Sequence, residues 1–175
     1  MAETRILAVI GKKGSGKTTL LTALSAEFVR KGRRVMTVKH GAPAAGLETR
    51  GSDTERHFRE GLAERSLVVS SGILACYDHR PESIDPMALA ARYLDGADIV
   101  LVEGFRQAPL PKIEVFRRVA DPAPIYDPAA PNAREWVAIV TDDDRFEAAT
   151  AVLRFRDTMW LQLLANLAWE RARLL

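Results

Sequence analysis

The stretch Gly11-Lys12-Lys13-Gly14-Ser15-Gly16-Lys17-Thr18 constrains this chain more than any other. A glycine, four residues and then Gly-Lys-Thr is the spacing of a phosphate-binding loop, which needs a buried strand before it and an amphipathic helix after it. Both are present. Arg5 to Ile10 is an apolar run ending in glycine, as in a strand covered on both faces of a parallel sheet. Leu20, Leu21, Leu24, Phe28 and Val29 then recur at helical spacing, and Arg30, Lys31 and Gly32 supply a basic last turn and a glycine stop. Within the loop, Gly11, Gly14, Ser15 and Gly16 let backbone amides turn inward around phosphate oxygens, and the helix N-terminus adds a favourable dipole. Lys17 is expected to reach the terminal phosphates, and the Thr18 hydroxyl to help hold magnesium.

The rest of the chain continues the alternation. "RVMTVKH" reads as a second strand ending at Lys39 and His40, and "SDTE" at 52–55 has capping-box spacing and opens a short polar helix through Gly61. "SLVVSSGILACY" gives one or two short strands. Asp85-Pro86 starts a helix with Leu89, Ala90, Tyr93 and Leu94 as its buried stripe. "DIVLVEG", "PKIEVFR" (of mixed pattern) and "WVAIVTDD" are further strands, and a last helix from Asp157 carries Trp160, Leu163, Leu164, Leu167 and Ala168 on one face. This order predicts an α/β fold of the P-loop NTPase type, a mainly parallel sheet flanked by helices, with 1–175 as one domain. Ligands of such sheets bind beyond the carboxyl ends of the strands.

Composition narrows the function classes. The chain of 175 residues is 47% hydrophobic and 27% charged, and its apolar runs fall short of the roughly 18 residues that cross a bilayer. The N-terminus lacks the layout of a secretory signal, and the single cysteine, Cys76, suits a reducing cytoplasm and is expected as a buried thiol. A net charge of +2, with arginines spread along the chain, is weak evidence for nucleic acid and is explained equally well by an anionic small ligand.

Strand ends supply the remaining candidates. "DIVLVEG" offers Asp98 and Glu103 for magnesium; they lie on the order of 16 Å apart, and only Glu103 is at the carboxyl end, beside the phosphate loop. Lys39 and His40 close a strand on the ligand side. In "GFRQAPLPK" (104–112), Arg106 and Lys112 bring charge to a loop that could fold over an anion. "TDDD" (141–144) places Asp142 where a carboxylate can accept hydrogen bonds from the N1 and N2 groups of guanine; an Asp-rich turn also forms for local reasons. Asp53 sits in a helix first turn, where dipole stabilisation alone would favour it. His57 and His79 lack metal-ligand spacing and are expected at the surface.

The chain resembles the molybdopterin-guanine dinucleotide biosynthesis protein B (MobB) family. The likeness rests on "GKKGSGKTTLLTAL", "VKH" (38–40), "GSDTERHFREG" (51–61), "VLVEGF" (100–105) and "PKIEVFR" (111–117), in the same order and spacing across most of the chain. The first is common to phosphate loops; the last two are more telling. The resemblance implies GTP and Mg2+ as ligands and weak GTP hydrolysis. It also implies a homodimer assisting a partner, the molybdenum cofactor guanylyltransferase, that attaches GMP to molybdopterin or its molybdenum form. It assigns Gly14, Gly16, Lys17, Thr18, Thr19, Asp53 and Glu103 to nucleotide and magnesium, with Lys39 in the site. Thr18, Asp53 and Glu103 are then the metal candidates, and Lys17 and Glu103 the groups that act on phosphate charge. The chain departs from the family where "KH" continues as "GAPAAG" and where Ser52 precedes Asp53. Two other functions share the loop: a small-molecule kinase, and an adaptor that binds nucleotide without hydrolysing it.

Overall fold

The structure, a computed structural model, describes residues 3–41, 53, 56, 60–62, 65–78 and 85–175. These fall into two compact units, 1–40 with 85–175, and 41–84. Ser52, Thr54 and Glu55 of the expected capping box, and His57 and His79, lie outside the described residues.

The first unit is built on a seven-stranded sheet. In chain order it holds β1 (Arg5–Gly11), α1 (Lys17–Arg30), β2 (Val35–Lys39), and, after the second unit, α2 (Pro86–Tyr93), β5 (Ile99–Glu103) and β6 (Lys112–Phe116). A 3-10 turn (Ala133–Glu135), β7 (Trp136–Thr141), β8 (Ala151–Arg154), α3 (Trp160–Arg171) and β9 (Arg173–Leu174) complete it. The strand order is β2-β5-β1-β6-β7-β8, with every neighbouring pair parallel; β9 adds antiparallel pairing at the start of β1. The second unit contributes an antiparallel hairpin, β3 (Arg65–Ser70) with β4 (Ile73–Asp78).

β1 lies between β5 and β6 and is packed on both faces, which is why it reads as an unbroken apolar run. Alternate residues enter two cores. Leu7 and Val9 meet Leu20, Leu24 and Phe28 of α1 and Leu164, Ala165 and Ala168 of α3; Ile6, Ala8 and Ile10 share the opposite core with Ala90 of α2 and Leu110. Each fully buried Leu, Ile or Phe among these contributes about 1.5–3 kcal/mol. The chain leaves β1 through α1 towards β2 and leaves β6 towards β7 on the other side. The carboxyl ends of β1 and β6 therefore flank a topological switch point, where sheets of this kind hold ligands.

Several elements differ from the sequence reading. β6, of mixed pattern, is buried at every position because it is an interior strand. Its Glu114 is satisfied by the amides of Ile125 and Tyr126 and the Trp136 indole. β8 and β9 had no sequence signal. α3 begins at Trp160 rather than Asp157, after Met159 in a left-handed conformation, and Leu163 is exposed. Cys76 is also exposed: the hairpin face carrying Leu67, Val69, Leu74 and Cys76 is uncovered. Among the described residues no helix is long and apolar enough to cross a membrane.

Candidate functional site

Gly11 ends β1, and the turn from there to Lys17 is set by glycine. Gly14 and Gly16 have φ of +79° and +95°, a region that side chains bearing a Cβ avoid. At Gly11 (φ +153°) space is a further limit: a Cβ there would lie 2.5 Å from Ser15 Oγ and 2.6 Å from the Val115 carbonyl oxygen. The loop is thus packed against the neighbouring β6, and α1 starts with Gly16 at its N-cap and no side-chain cap. Its first amides are left for an external acceptor. Ser15 is 1% exposed, and its buried hydroxyl has no hydrogen-bond partner.

Lys17 Nζ donates to the Lys12 carbonyl at 2.7 Å, so the loop holds its own lysine at the mouth. Lys12 is anchored to Asp121 at 3.1 Å, and the Lys12 ammonium and the Ala123 amide hold that carboxyl below the ordinary range, the amide more strongly. Thr18 Oγ1 lies 3.0 and 2.9 Å from the two carboxylate oxygens of Glu103, to which it donates. Lys39 Nζ is 3.3 Å from Glu103 Oε1. Glu103 stands there because β5 pairs with both β1 and β2: its register partners are Val9 and Lys39. Asp98, at the other end of the same segment, accepts from the Arg34 amide at 2.7 Å and stays below the usual carboxylate range chiefly through that bond.

The turn after Glu103 is tightly built. Gly104 (φ +91°) and Phe105 (φ +50°) are both left-handed, the Gly104 amide donates to Val9 O at 3.0 Å, and a Cβ on Gly104 would come within 3.3 Å of His40. The His40 ring meets the Phe105 ring at a tilt of 54°, centroids 4.7 Å apart, and the His40 amide donates to Glu103 O, so it fixes the turn that aims the carboxylate. A hydroxyl and a carboxylate converging at one point are hard oxygen donors of the kind magnesium takes. Among the described residues no cluster of three or more His, Cys, Asp or Glu side chains forms a metal site by itself.

The other candidates scatter. Thr19 is exposed on the first turn of α1 and Arg106 is exposed after Phe105. Asp53 is exposed and belongs to the second unit. Asp142 is exposed beyond β7, while its neighbours are committed: Asp143 to Arg118 at 2.6 Å, which with the Arg145 amide lowers its pKa, and Asp144 to Arg156. Lys112 requires a correction. It begins β6 rather than lying in a loop over an anion, is fully buried, and donates to the carbonyls of Ala108 (2.7 Å) and Leu110 (3.0 Å) and to Glu135. Its ammonium serves the turn before β6 and is not available to a phosphate. Arg117, the last residue of the "PKIEVFR" motif, follows β6 at the ligand end, with its guanidinium 4.0 Å from the position of a Cβ on Gly16. Asking which residue follows each strand would have found it.

The fold and the glycine-shaped turn at the switch point define the class: an α/β protein of the P-loop NTPase type. The family model described as "Molybdopterin guanine dinucleotide synthesis protein B" matches residues 6–142, and the chain belongs to this MobB family. The molybdopterin-guanine dinucleotide biosynthesis adapter protein of Haemophilus influenzae is 32% identical over 124 residues, 70% of this chain and 69% of the relative. The Escherichia coli adapter protein is 32% identical over 115 residues, 64% of this chain and 65% of the relative. Among solved structures, a MobB homolog from Bacillus stearothermophilus superposes with TM-score 0.65 at 26% identity, covering 95% of this chain and 99% of that one. Bacillus subtilis MobB superposes with TM-score 0.66 at 20% identity, covering 93% and 97%, and shows the fold.

Proposed function

We propose that this protein is a GTP-binding accessory factor of molybdopterin-guanine dinucleotide synthesis, acting beside the nucleotidyltransferase that attaches GMP to molybdopterin. The observation that carries the reading is the Thr18–Glu103 contact at the mouth of the glycine turn, where a phosphate-bound magnesium needs its oxygen donors. On binding, Lys17 exchanges the Lys12 carbonyl for a terminal phosphate oxygen, while the amides of 14–18 take the remaining charge. Thr18 and Glu103 hold Mg2+ or its water, and Lys39 lends positive charge beside them. Magnesium supplies neutralisation of the β- and γ-phosphates.

Hydrolysis is slow in this reading, because Glu103 is committed to magnesium or its water beside Lys39 rather than left free as a base for water. Guanine selection falls to the turn after β7, where Asp142 is exposed and without an ion-pair partner among the described residues. A cytoplasmic homodimer completes the proposal, supported by the uncovered apolar face of the β3–β4 hairpin, on which Val69 is 80% and Leu74 65% exposed.

Terminally labelled GTP with magnesium tests the reaction class. The expected result is slow release of phosphate alone, and a higher yield of dinucleotide when the protein is added to its nucleotidyltransferase with molybdopterin. Transfer of label to an acceptor hydroxyl would instead make the protein a kinase.

A further inference from the structure

We propose that Arg117 is a contact residue for the polyphosphate of the bound nucleotide, held in place on the ring of Phe155. The inference rests on the nucleotide-binding reading and adds to it a cation from the β6 side of the crevice.

Arg117 is the first residue after β6, the strand paired with β1 whose connection leaves in the opposite direction. The switch point therefore has two lips, the glycine turn on one and Arg117 on the other. Arg117 Cζ and Nε are each 4.0 Å from where a Cβ on Gly16 would stand, the nearest atoms apart from Gly16's own chain neighbours and helix backbone. The guanidinium is thus the immediate neighbour of the residue that opens α1. Its Nε is buried and has no hydrogen-bond partner, and among the described residues no carboxylate forms an ion pair with it. Arginine does not shed its proton in a protein, so a buried N–H without an acceptor attracts an anion with oxygen acceptors to spare. Ser15 Oγ, on the inner side of the same turn, is a second buried group without a partner.

The side chain is also pre-oriented. Its Cζ lies 4.4 Å from the centroid of Phe155, a cation–π contact that fixes the guanidinium plane. Phe155 is fixed in turn: its amide donates to the Thr141 carbonyl at 3.2 Å, and its ring meets Trp160 edge-on at 5.2 Å. The carboxyl ends of β6, β7 and β8 therefore jointly place one guanidinium. Phe155 is a positioning residue, acting only through Arg117.

Equilibrium binding of Mg–GTP and of inorganic triphosphate to the full chain tests this, with Arg117→Met, Phe155→Leu, Phe155→Tyr and Lys17→Ala beside wild type. Losing a charge-assisted bond predicts about ten- to a hundredfold weaker binding of both ligands to Arg117→Met, and a shallower dependence of affinity on salt. Phe155→Leu is expected to lose part of that affinity, and Phe155→Tyr, which keeps the aromatic face, to retain it. Should the methionine variant not fold, Phe155→Leu carries the test. If wild type binds GTP, Lys17→Ala does not, and both Arg117→Met and Phe155→Leu bind as wild type with only a lowered melting temperature, Arg117 is merely structural and the inference is overturned. If wild type binds neither ligand, the nucleotide reading fails and this inference fails with it.

Discussion

Thr18 and Glu103 are 85 positions apart in sequence, yet the Thr18 hydroxyl lies within 3.0 Å of both oxygens of the Glu103 carboxylate. One comes from the first turn of α1 and the other from the last residue of β5, so the contact exists only when β5 pairs with β1 in register. Thr18→Val keeps the shape and removes the hydroxyl. Its GTP affinity in magnesium is expected to fall by about tenfold or more, to the level that wild type shows in chelator. Glu103→Gln should behave likewise, as read by magnesium titration of a fluorescent nucleotide complex.

Lys112 gives the opposite expectation. Its fully buried ammonium bridges two carbonyls and Glu135, so Lys112→Ala leaves a carboxylate and carbonyls without their donor. Unfolding by denaturant should show a loss of about 3–5 kcal/mol, while GTP affinity stays at the wild-type value under native conditions. A selective loss of affinity with normal stability would return Lys112 to the site.

The contrast between these two residues shows what the sequence could disclose. The glycine spacing fixed a strand, a turn and a helix at once, and the rule that ligands sit beyond strand carboxyl ends separated Glu103 from Asp98, now seen paired to Arg34. Lys112 belongs to the buried start of β6 and not to a loop over the ligand: alternation does not reveal a buried interior strand whose polar residues, Lys112 and Glu114, find their partners Glu135 and Trp136 far along the chain. The residue that follows β6, Arg117, is legible in the sequence, whereas its nearness to Gly16 comes from the adjacency of β6 to β1, which is a fact of strand order. β8 gives no signal because one exposed and three half-buried residues leave no clear period.

Gly11 and Gly14, at the front of the loop, differ in the space around them. Gly11→Ala would press a Cβ to 2.6 Å from the Val115 carbonyl, a backbone atom that cannot yield cheaply, on top of an unfavourable φ of +153°, whereas Gly14 has open space and only its positive φ to oppose a side chain. Gly14→Ala should cost about 1–2 kcal/mol. Gly11→Ala should cost more, and weaken nucleotide binding beyond it, because β1 and β6 must separate at the loop. Thermal unfolding and GTP binding of the pair check the order.

Acid sensitivity follows from Asp143. The Arg118 side chain, and after it the Arg145 amide, hold its carboxyl below the ordinary range. Because the folded value is the depressed one, its stabilisation is present above the unfolded carboxylate value and is lost as pH falls through the folded value. Asp98 and Asp121 act in the same direction. Asp143→Asn is therefore less stable than wild type near neutrality and loses less on acidification, so denaturant midpoints of the two proteins should converge as pH falls through the carboxylate range.

The account depends most on nucleotide held by the turn from Gly11 to Thr18. Calorimetric titration with GTP and with ATP, in magnesium, of wild type and Lys17→Ala tests it directly. The account predicts a single saturable site that prefers GTP and is lost with Lys17; equal binding of both nucleotides would remove the guanine assignment, and unchanged binding to Lys17→Ala would contradict the site itself.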